Sequence, residues 1–295
     1  MPVYNGERYL EQALRSLLGQ TFEAFELIVS DNASTDRTGS LCLDYAARDP
    51  RIRYFRKDVN VGFCRNQNFV IQVAAGEFFL LAHHDDVRSP VYLARTLEVL
   101  DADESIVVCY TKTRDIDEHG LELPREHPPL RLDSEHLRDR FHDIIRMDHV
   151  NEADFGLTRL DILRKTGLHR DYADSDRVLL AELLFYGPFH RVPEYLFFRR
   201  AHAQQSTAIA PSRQARTVWF NPAYENQLVF PHFRQLREYF FAIWRAPINW
   251  ADRAWCSIEM LQWLKTNHAR LIGDLDFAGR ELLRPLYRAV VRTVA

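Results

Sequence analysis

The stretch Leu80-Leu81-Ala82-His83-His84-Asp85-Asp86 decides how this chain is read. An apolar segment, Glu77 to Leu81, runs into two adjacent carboxylates, which predicts a strand that delivers acids at its C-terminal end. Such a pair loses solvation and repels itself unless a cation stands between it and a ligand. A hard divalent ion, Mn2+ or Mg2+, that also binds phosphate oxygens meets that need. The run therefore points to a metal–diphosphate site.

On either side of the run the chain alternates strands and helices. Leu10, Ala13, Leu14, Leu17 and Leu18 fall at helical spacing behind Asn5, an N-cap candidate, and predict a helix over 7–19. Phe25 to Ser30 reads as a strand ending at Asp31, followed by a polar loop and a helix to about Arg48. Ile52 to Phe55 reads as a strand, then a loop through Asn60-Val61-Gly62 and a helix over Cys64 to Ala75. Ser89-Pro90 has the chemistry of a helix start, with the helix continuing to Leu100, and Ile106 to Tyr110 is the next strand. This alternation predicts an α/β fold with a mostly parallel sheet flanked by helices, and a ligand beyond the carboxyl ends of the strands. Asp31 and Asp85 both lie there.

Residues 111–150 are polar and hold Pro124, Pro128 and Pro129, and read as a mobile region over the site. Asp161 to Lys165 and Asp176 to Tyr186 read as helices, and Arg191 to Phe198 as a strand leading into Arg199-Arg200-Ala201-His202. Beyond Pro211 the chain is helical and holds Trp219, Trp244, Trp250, Trp255 and Trp263.

At 295 residues, 46% hydrophobic and 27% charged, the chain can bury a large core and is not of disordered composition. No apolar run approaches the roughly 20 residues that span a bilayer. Cys42, Cys64, Cys109 and Cys256 lie far apart among apolar neighbours, the pattern of reduced thiols in a cytoplasmic protein. From Arg213 onward 12 Arg/Lys face 7 Asp/Glu, so the part before it carries −8 against a total of −3. Nothing in the pattern suggests nucleic-acid binding.

In order along the chain stand Pro2-Val3-Tyr4-Asn5-Gly6, Asp31-Asn32-Ala33-Ser34-Thr35-Asp36, Asn60-Val61-Gly62 with Arg65-Asn66, Ala75-Gly76-Glu77 and His84-Asp85-Asp86. Phe155-Gly156-Leu157, Ser175-Asp176-Arg177 and Arg199-Arg200-Ala201-His202 follow. Together they resemble the family 2 glycosyltransferases, inverting enzymes of the A-type glycosyltransferase (GT-A) fold, over about residues 1–207. The resemblance implies a catalytic domain over 1–207, with a nucleotide-binding half (1–110) and an acceptor half (111–207), and a helical C-terminal extension over 208–295. It implies a nucleoside-diphosphate sugar donor, UDP- or similar, a saccharide or lipid-linked hydroxyl acceptor, and a setting in cell-surface polysaccharide biosynthesis. By the same resemblance Tyr4 stacks on the nucleotide base, Asp31 accepts a hydrogen bond from it, and Pro2, Asn66, His83 and His84 belong to the nucleotide site. Asp85 matches the metal-binding aspartate, His202 a histidine at the diphosphate that could ligate the ion, and Asp176 the catalytic base.

Two positions depart from the family. His83 stands where a ribose-contacting aspartate is usual, and Ser175 where a glutamate precedes the base, so Asp174 competes with Asp176 for that role. These departures keep a second reading open, a non-catalytic nucleotide-sugar-binding scaffold. Met1 to Val3 is also short for a central strand, so the native chain is expected to begin upstream with an apolar run, which the intact mass of the native protein checks.

Adjacent side chains on extended backbone point to opposite faces, so at most one of His83 and His84 should face the site. Asp86 reads as a support, Asp36 as a cap of the following helix, and Arg199 and Arg200 as cations available to phosphate. Asn32-Ala33-Ser34 fits a glycosylation sequon by chance. Arg280, Arg284, Arg288 and Arg292 recur at every fourth residue, so a helix over 276–295 is either packed with a solvated basic face or in peripheral contact with an anionic membrane.

Overall fold

The structure is a computed structural model describing residues 1–147, 151–203, 205, 213–225 and 227–294, without the side chains of 213, 214 and 282–294. Among these residues, strands β1 (Pro2–Val3), β2 (Leu27–Asp31) and β3 (Ile52–Arg56) form a parallel sheet in that order. Helices α1 (Glu7–Leu18) and α2 (Thr38–Arg48) cover it, burying Leu10, Leu14, Leu17 and Cys42 against Val3, Leu27 and Val29. Five consecutive buried residues in β2, Leu27 to Asp31, are the mark of a strand covered on both faces.

A second sheet has the order β4 (Phe78–Leu80), β7 (Leu157–Arg159), β6 (Val108–Ile116), β8 (Phe189–Arg200), β5 (Val87–Arg88). Here the expectation of a mostly parallel sheet meets its limit. Only β6 and β8 run parallel; β4–β7, β6–β7 and β5–β8 are antiparallel. The reason is length: β5 and β7 have two and three residues, too few to show an alternation in the sequence.

Helices α3 (Phe63–Val73), α4 (Tyr92–Ala102), α5 (Leu137–Arg146), α6 (Leu160–Leu163) and α7 (Ser175–Leu183) flank the sheets. The extension contributes α8 (Arg213–Phe220), α9 (Pro231–Arg245) and α10 (Trp250–Val294). The main core runs across residue 207: Tyr239, Ile243, Met260 and Trp263 share it with Val108, Phe141 and Leu180. The segment 111–150 is not one mobile region. Its start continues β6, and Leu132, Phe141, Ile144 and Ile145 are buried in the core; residues 148–150 lie outside the described ones. The four cysteines are free and buried.

Helix starts differ from expectation in an instructive way. Asn5 does not cap α1. It takes a left-handed φ of 49°, and its side-chain oxygen accepts the Thr35 N–H at 2.8 Å. In return the Ser34 hydroxyl accepts the Asn5 N–H and the Thr38 hydroxyl the Gly6 N–H, so the loops after β1 and β2 are stitched together. Asp36 accepts the N–H of Thr38, the first residue of α2, at 2.9 Å, close to its expected capping role. Ser89 does not cap α4 with its side chain; the Gln20 side-chain oxygen accepts the Leu93 N–H instead.

Candidate functional site

The carboxyl ends of β1, β2, β3 and β4 carry Tyr4, Asp31, Arg56 and the 81–86 run. Behind the run, β5 pairs with the end of β8 in the register Val87 to Phe198 and Arg88 to Phe197. That pairing lays Asp85 and Asp86 alongside residues 199–202, more than a hundred positions away. The Arg200 N–H donates to Asp86 Oδ1 at 2.9 Å, and His202 Nε2 lies 2.9 Å from Asp85 Oδ2. The His202 ring packs on Tyr9 of α1.

His83 and His84 part company as alternation requires. His84 lies against Gly6, where a Cβ would come within 2.5 Å of its ring, so only glycine lets the α1 turn approach it. His83 turns toward Asp86, with Nδ1 3.9 Å from Oδ2, and meets Phe155 and Phe63 edge-on at 5.1 and 6.3 Å. His83, Asp85 and Asp86 offer ligand atoms that all lie within 4.8 Å of one another. The set thus holds the expected Asp85 together with His83 and Asp86, while the expected His202 is not in it and instead meets Asp85 Oδ2.

Electrostatics distinguish the two acids. Burial pushes Asp85 up, but His84, His202 and His83 outweigh it and hold it below the usual carboxylate range. Asp86 is pushed up to about 8 by burial and then by the Asp85 charge, against the Arg200 N–H and nearby arginines. Burial also lowers His83 to about 4, so its ring is neutral and its Nε2 is buried without a partner. A neutral imidazole with a free nitrogen beside two carboxylates suits a divalent ion.

Other expected residues have different work. Asp31 is fully buried; its carboxylate accepts from the Ser34 N–H at 2.8 Å, the Tyr54 hydroxyl at 2.9 Å and the Arg56 guanidinium. A carboxylate has about four lone-pair directions, and three of those on Asp31 are taken by protein donors. Pro2 is buried, opposite Ser30 in the sheet. Asn66 is not free for a nucleotide: its side chain accepts the Ser30 hydroxyl at 2.6 Å and donates to the Ser30 carbonyl at 2.9 Å, tying α3 to β2. Asn32 is likewise buried, with both ends of its amide on the Asn60–Gly62 loop, which leaves no exposed acceptor for a glycan. Tyr4 is exposed at the rim.

The two arginines offered as phosphate ligands are both committed to protein. Arg199 makes a two-pronged pair with Asp115 at 2.9 and 3.0 Å. Arg200, 1% exposed, donates to the carbonyls of Asp85 and Asp117 at 2.9 and 3.0 Å and to Gln12 Oε1 at 2.6 Å, over the Tyr9 ring. It is the strut that holds the acidic run. Arg200→Ala should therefore cost about 3–5 kcal/mol of stability, because it leaves several buried acceptors unpartnered. Urea unfolding measures this; a raised donor KM at unchanged stability would mean that Arg200 serves the phosphates instead.

Asp176 lies in the first turn of α7 and accepts a hydrogen bond from the Asn151 amide. Asp154 is pushed well above the carboxylate range by burial and by the Asp176 charge. Asp154 is followed by Phe155, whose ring meets His83 and stacks on Phe197 at 4.8 Å. The acid cluster and Asp176 are thus linked through one short segment, 151–155. Asp174 takes a left-handed φ of 64° immediately before α7, and Ser175 is buried with its Oγ 3.9 Å from Cys64 Sγ.

The extension closes on the same place. Trp219 packs on Phe63 at 4.4 Å, and Asn221 donates to Asp171 at 2.9 Å. Gly62, at φ 89°, lets this happen: a Cβ there would lie 2.5 Å from the Phe220 carbonyl.

The sequence pattern did not single out Arg56, Asn151 or Asp154, and held Phe155 only as part of the Phe155-Gly156-Leu157 motif. Arg56 was findable, since it ends a strand directly beside Asp31 in register. Asn151 precedes, and Asp154 lies in, a one-turn helical stretch, Glu152–Phe155, with no periodic signal.

Comparison with known proteins agrees with this layout. The glycosyl transferase family 2 profile matches residues 1–165. An uncharacterized glycosyltransferase of Rickettsia typhi is 34% identical over 124 residues, 41% of this chain and 38% of its own. The chain spans well under half the length of the curated relatives it matches. Among solved structures, S. aureus TarS in complex with UDP-GlcNAc superposes with a TM-score of 0.68 at 17% identity, over 93% of this chain and 78% of that one. The mannosyltransferase PcManGT of Pyrobaculum calidifontis, in complex with GDP-Man and Mn2+, does so at 0.53 and 16% identity, over 98% and 80%. The profile covers more than half of the sequence and the superpositions extend over nearly all of it: the chain belongs to glycosyl transferase family 2, in the GT-A fold.

Proposed function

We propose that the protein is a metal-dependent, inverting glycosyltransferase that moves a sugar from a nucleoside-diphosphate donor to a hydroxyl acceptor. The observation that carries this reading is the joining of two unlike acid sites by 151–155: a cation-type cluster at His83, Asp85 and Asp86, and a hydrogen-bonded carboxylate at Asp176. Donors in solved neighbours, UDP-GlcNAc in TarS and GDP-Man in PcManGT, support a nucleotide-sugar.

In this reading Tyr4 stacks on the base at the rim, and Asp31 with Arg56 faces its edge. Asp85 and Asp86 would hold an ion with His83, and His202 orients Asp85. An ion held there supplies charge neutralisation and Lewis acidity at the donor diphosphate. Asp176 takes the proton of the acceptor hydroxyl as that oxygen forms its bond to the anomeric carbon, the bond to the diphosphate oxygen breaks, and the nucleoside diphosphate leaves. A single displacement inverts the anomeric centre. Asn151 fixes the carboxylate, and Phe155 and Trp219 keep water from the pocket. Cell-surface polysaccharide assembly in the cytoplasm is the setting we assign; among the described residues no helix is long and apolar enough to cross a membrane.

The imidazole in the ligand set favours Mn2+ over Mg2+, whose sites are usually all oxygen. Mn2+ at about 100 times its Kd should add roughly 2.7 kcal/mol, a melting shift of several degrees that UDP enlarges and EDTA reverses. Mg2+ should do less. A panel of nucleotide sugars hydrolysed with Mn2+ tests the activity itself; no hydrolysis and no shift with any donor would leave a non-catalytic scaffold.

A further inference from the structure

We infer that the outer face of α9 and α10 is a docking surface for an anionic membrane. On α10, Trp250, Ile258, Leu261, Ile272 and Leu275 are all more than half exposed. At 100° per residue they fall within about 100° of one another, a single apolar stripe roughly 37 Å long. On α9, Phe241 and Trp244 extend the surface, with the Trp244 ring 5.8 Å from that of Trp250. The buried side of both helices is a different set, Tyr239, Ala242, Cys256, Met260 and Trp263, so the stripe is not part of the core. Isolated exposed apolar residues are ordinary; five on one helix face, interrupted by the exposed Lys265 and His268, mark an interaction site.

Charge identifies the occupant. Between 231 and 275 the chain has four acids, and each faces the rest of the protein. Glu238 pairs with Arg170 and Arg237, Asp252 with Arg138, Glu259 with His142 and Arg146, and Asp274 with His232. The cations are divided: Arg245 turns inward to Glu182 and Arg253 donates to the carbonyls that end α9 while lying over the Trp244 and Trp250 rings, whereas Arg237 and Lys265 are exposed among the apolar positions. The face is apolar and cationic, with no carboxylate on it before Asp276. Tryptophans with arginine and lysine at the edge of an apolar stripe suit the headgroup region of an anionic bilayer. A second copy of the same face would set like charges together. Of the basic stripe at 280–292, only the side chain of Arg280 is described, paired with Asp276 at 3.0 Å; Arg284, Arg288 and Arg292 lie outside the described side chains. The membrane contact is therefore assigned to 241–275 rather than to 276–295.

Vesicle sedimentation of the full chain tests this. Wild type should pellet with phosphatidylcholine–phosphatidylglycerol vesicles at least about tenfold more than with phosphatidylcholine alone, and salt should reduce the difference. The Trp244→Ser/Trp250→Ser variant should lose about tenfold of that binding with its melting temperature and donor hydrolysis unchanged. Leu261→Glu/Ile272→Glu is a second variant, read in the same way if the first folds poorly. All arginines at 280–292 stay in place, so the loss reports the 241–275 face. Equal binding to both vesicle types, or no loss in folded variants, overturns the inference. So does a wild-type dimer that these substitutions split in ultracentrifugation without any change in vesicle binding.

Discussion

Asp176→Asn should lower kcat about 10³-fold while leaving the donor KM within about threefold of wild type. The substitution is isosteric, and the amide can still meet Asn151 after a rotation of one or both side chains, so the fold should survive. What disappears is the basic oxygen that takes the acceptor proton. Donor affinity should hold because Asp176 is not among the residues of the cation cluster and is engaged by Asn151 instead. Asp154 adds a second signature. Its carboxyl is held up partly by the Asp176 charge, so the Asn variant should let Asp154 ionise nearer the ordinary range. The residual rate of the variant should then have a pH profile shifted from that of wild type. Asp174→Asn is the control. Asparagine tolerates the left-handed φ of that position, so any loss there is chemical and not backbone strain. If Asp174→Asn abolished turnover and Asp176→Asn did not, the base assignment would be reversed. Initial rates with saturating donor and Mn2+, for wild type and both variants, decide between them.

How far the sequence could be read is clearest along β2 and β8. β2 was legible because four apolar or small residues in a row, Leu27 to Ser30, end in a charge, and burial on both faces demands that composition. The strand leading to Arg200 was legible too, but its partner was not. β5 is two residues long, and its pairing with Phe197–Phe198 is what brings His202 to Asp85. That contact spans 117 positions and left its trace only as a family motif, not as periodicity. The arginines show a different limit. A cation near a phosphate site and a cation that braces the site look alike in sequence. Only the carbonyls around Arg200 and the carboxylate around Arg199 assign them to bracing. Asn5 and Asn66 differ for a related reason: the loop after β2 engages the side chain of Asn5, and Ser30 of β2 that of Asn66, partners that propensity does not place.

Asp85→Asn should be the most damaging change at the cation cluster and yet should not unfold the protein. Donor turnover with Mn2+ is expected to fall about 10³-fold in kcat/KM, roughly 4 kcal/mol of transition-state stabilisation. The Mn2+-induced melting shift should be largely lost. The metal-free protein should respond in the opposite sense. Asp86 has a folded pKa raised by burial and by the Asp85 charge, so its ionised form opposes folding. A carboxyl raised in this way contributes most below its ordinary pKa and loses stability as pH climbs through the window up to about 8. Wild type without metal should therefore melt progressively lower from mildly acidic to mildly alkaline pH. Asp85→Asn removes one source of that penalty, and the slope should flatten. His202 can keep a hydrogen bond to the asparagine at the geometry it now has with Oδ2, so the local frame is retained. Melting curves in EDTA across pH, paired with turnover in Mn2+, separate the two effects. A variant that lost stability at every pH in EDTA would show Asp85 to be structural, and a variant that kept its Mn2+ shift would place the ion elsewhere.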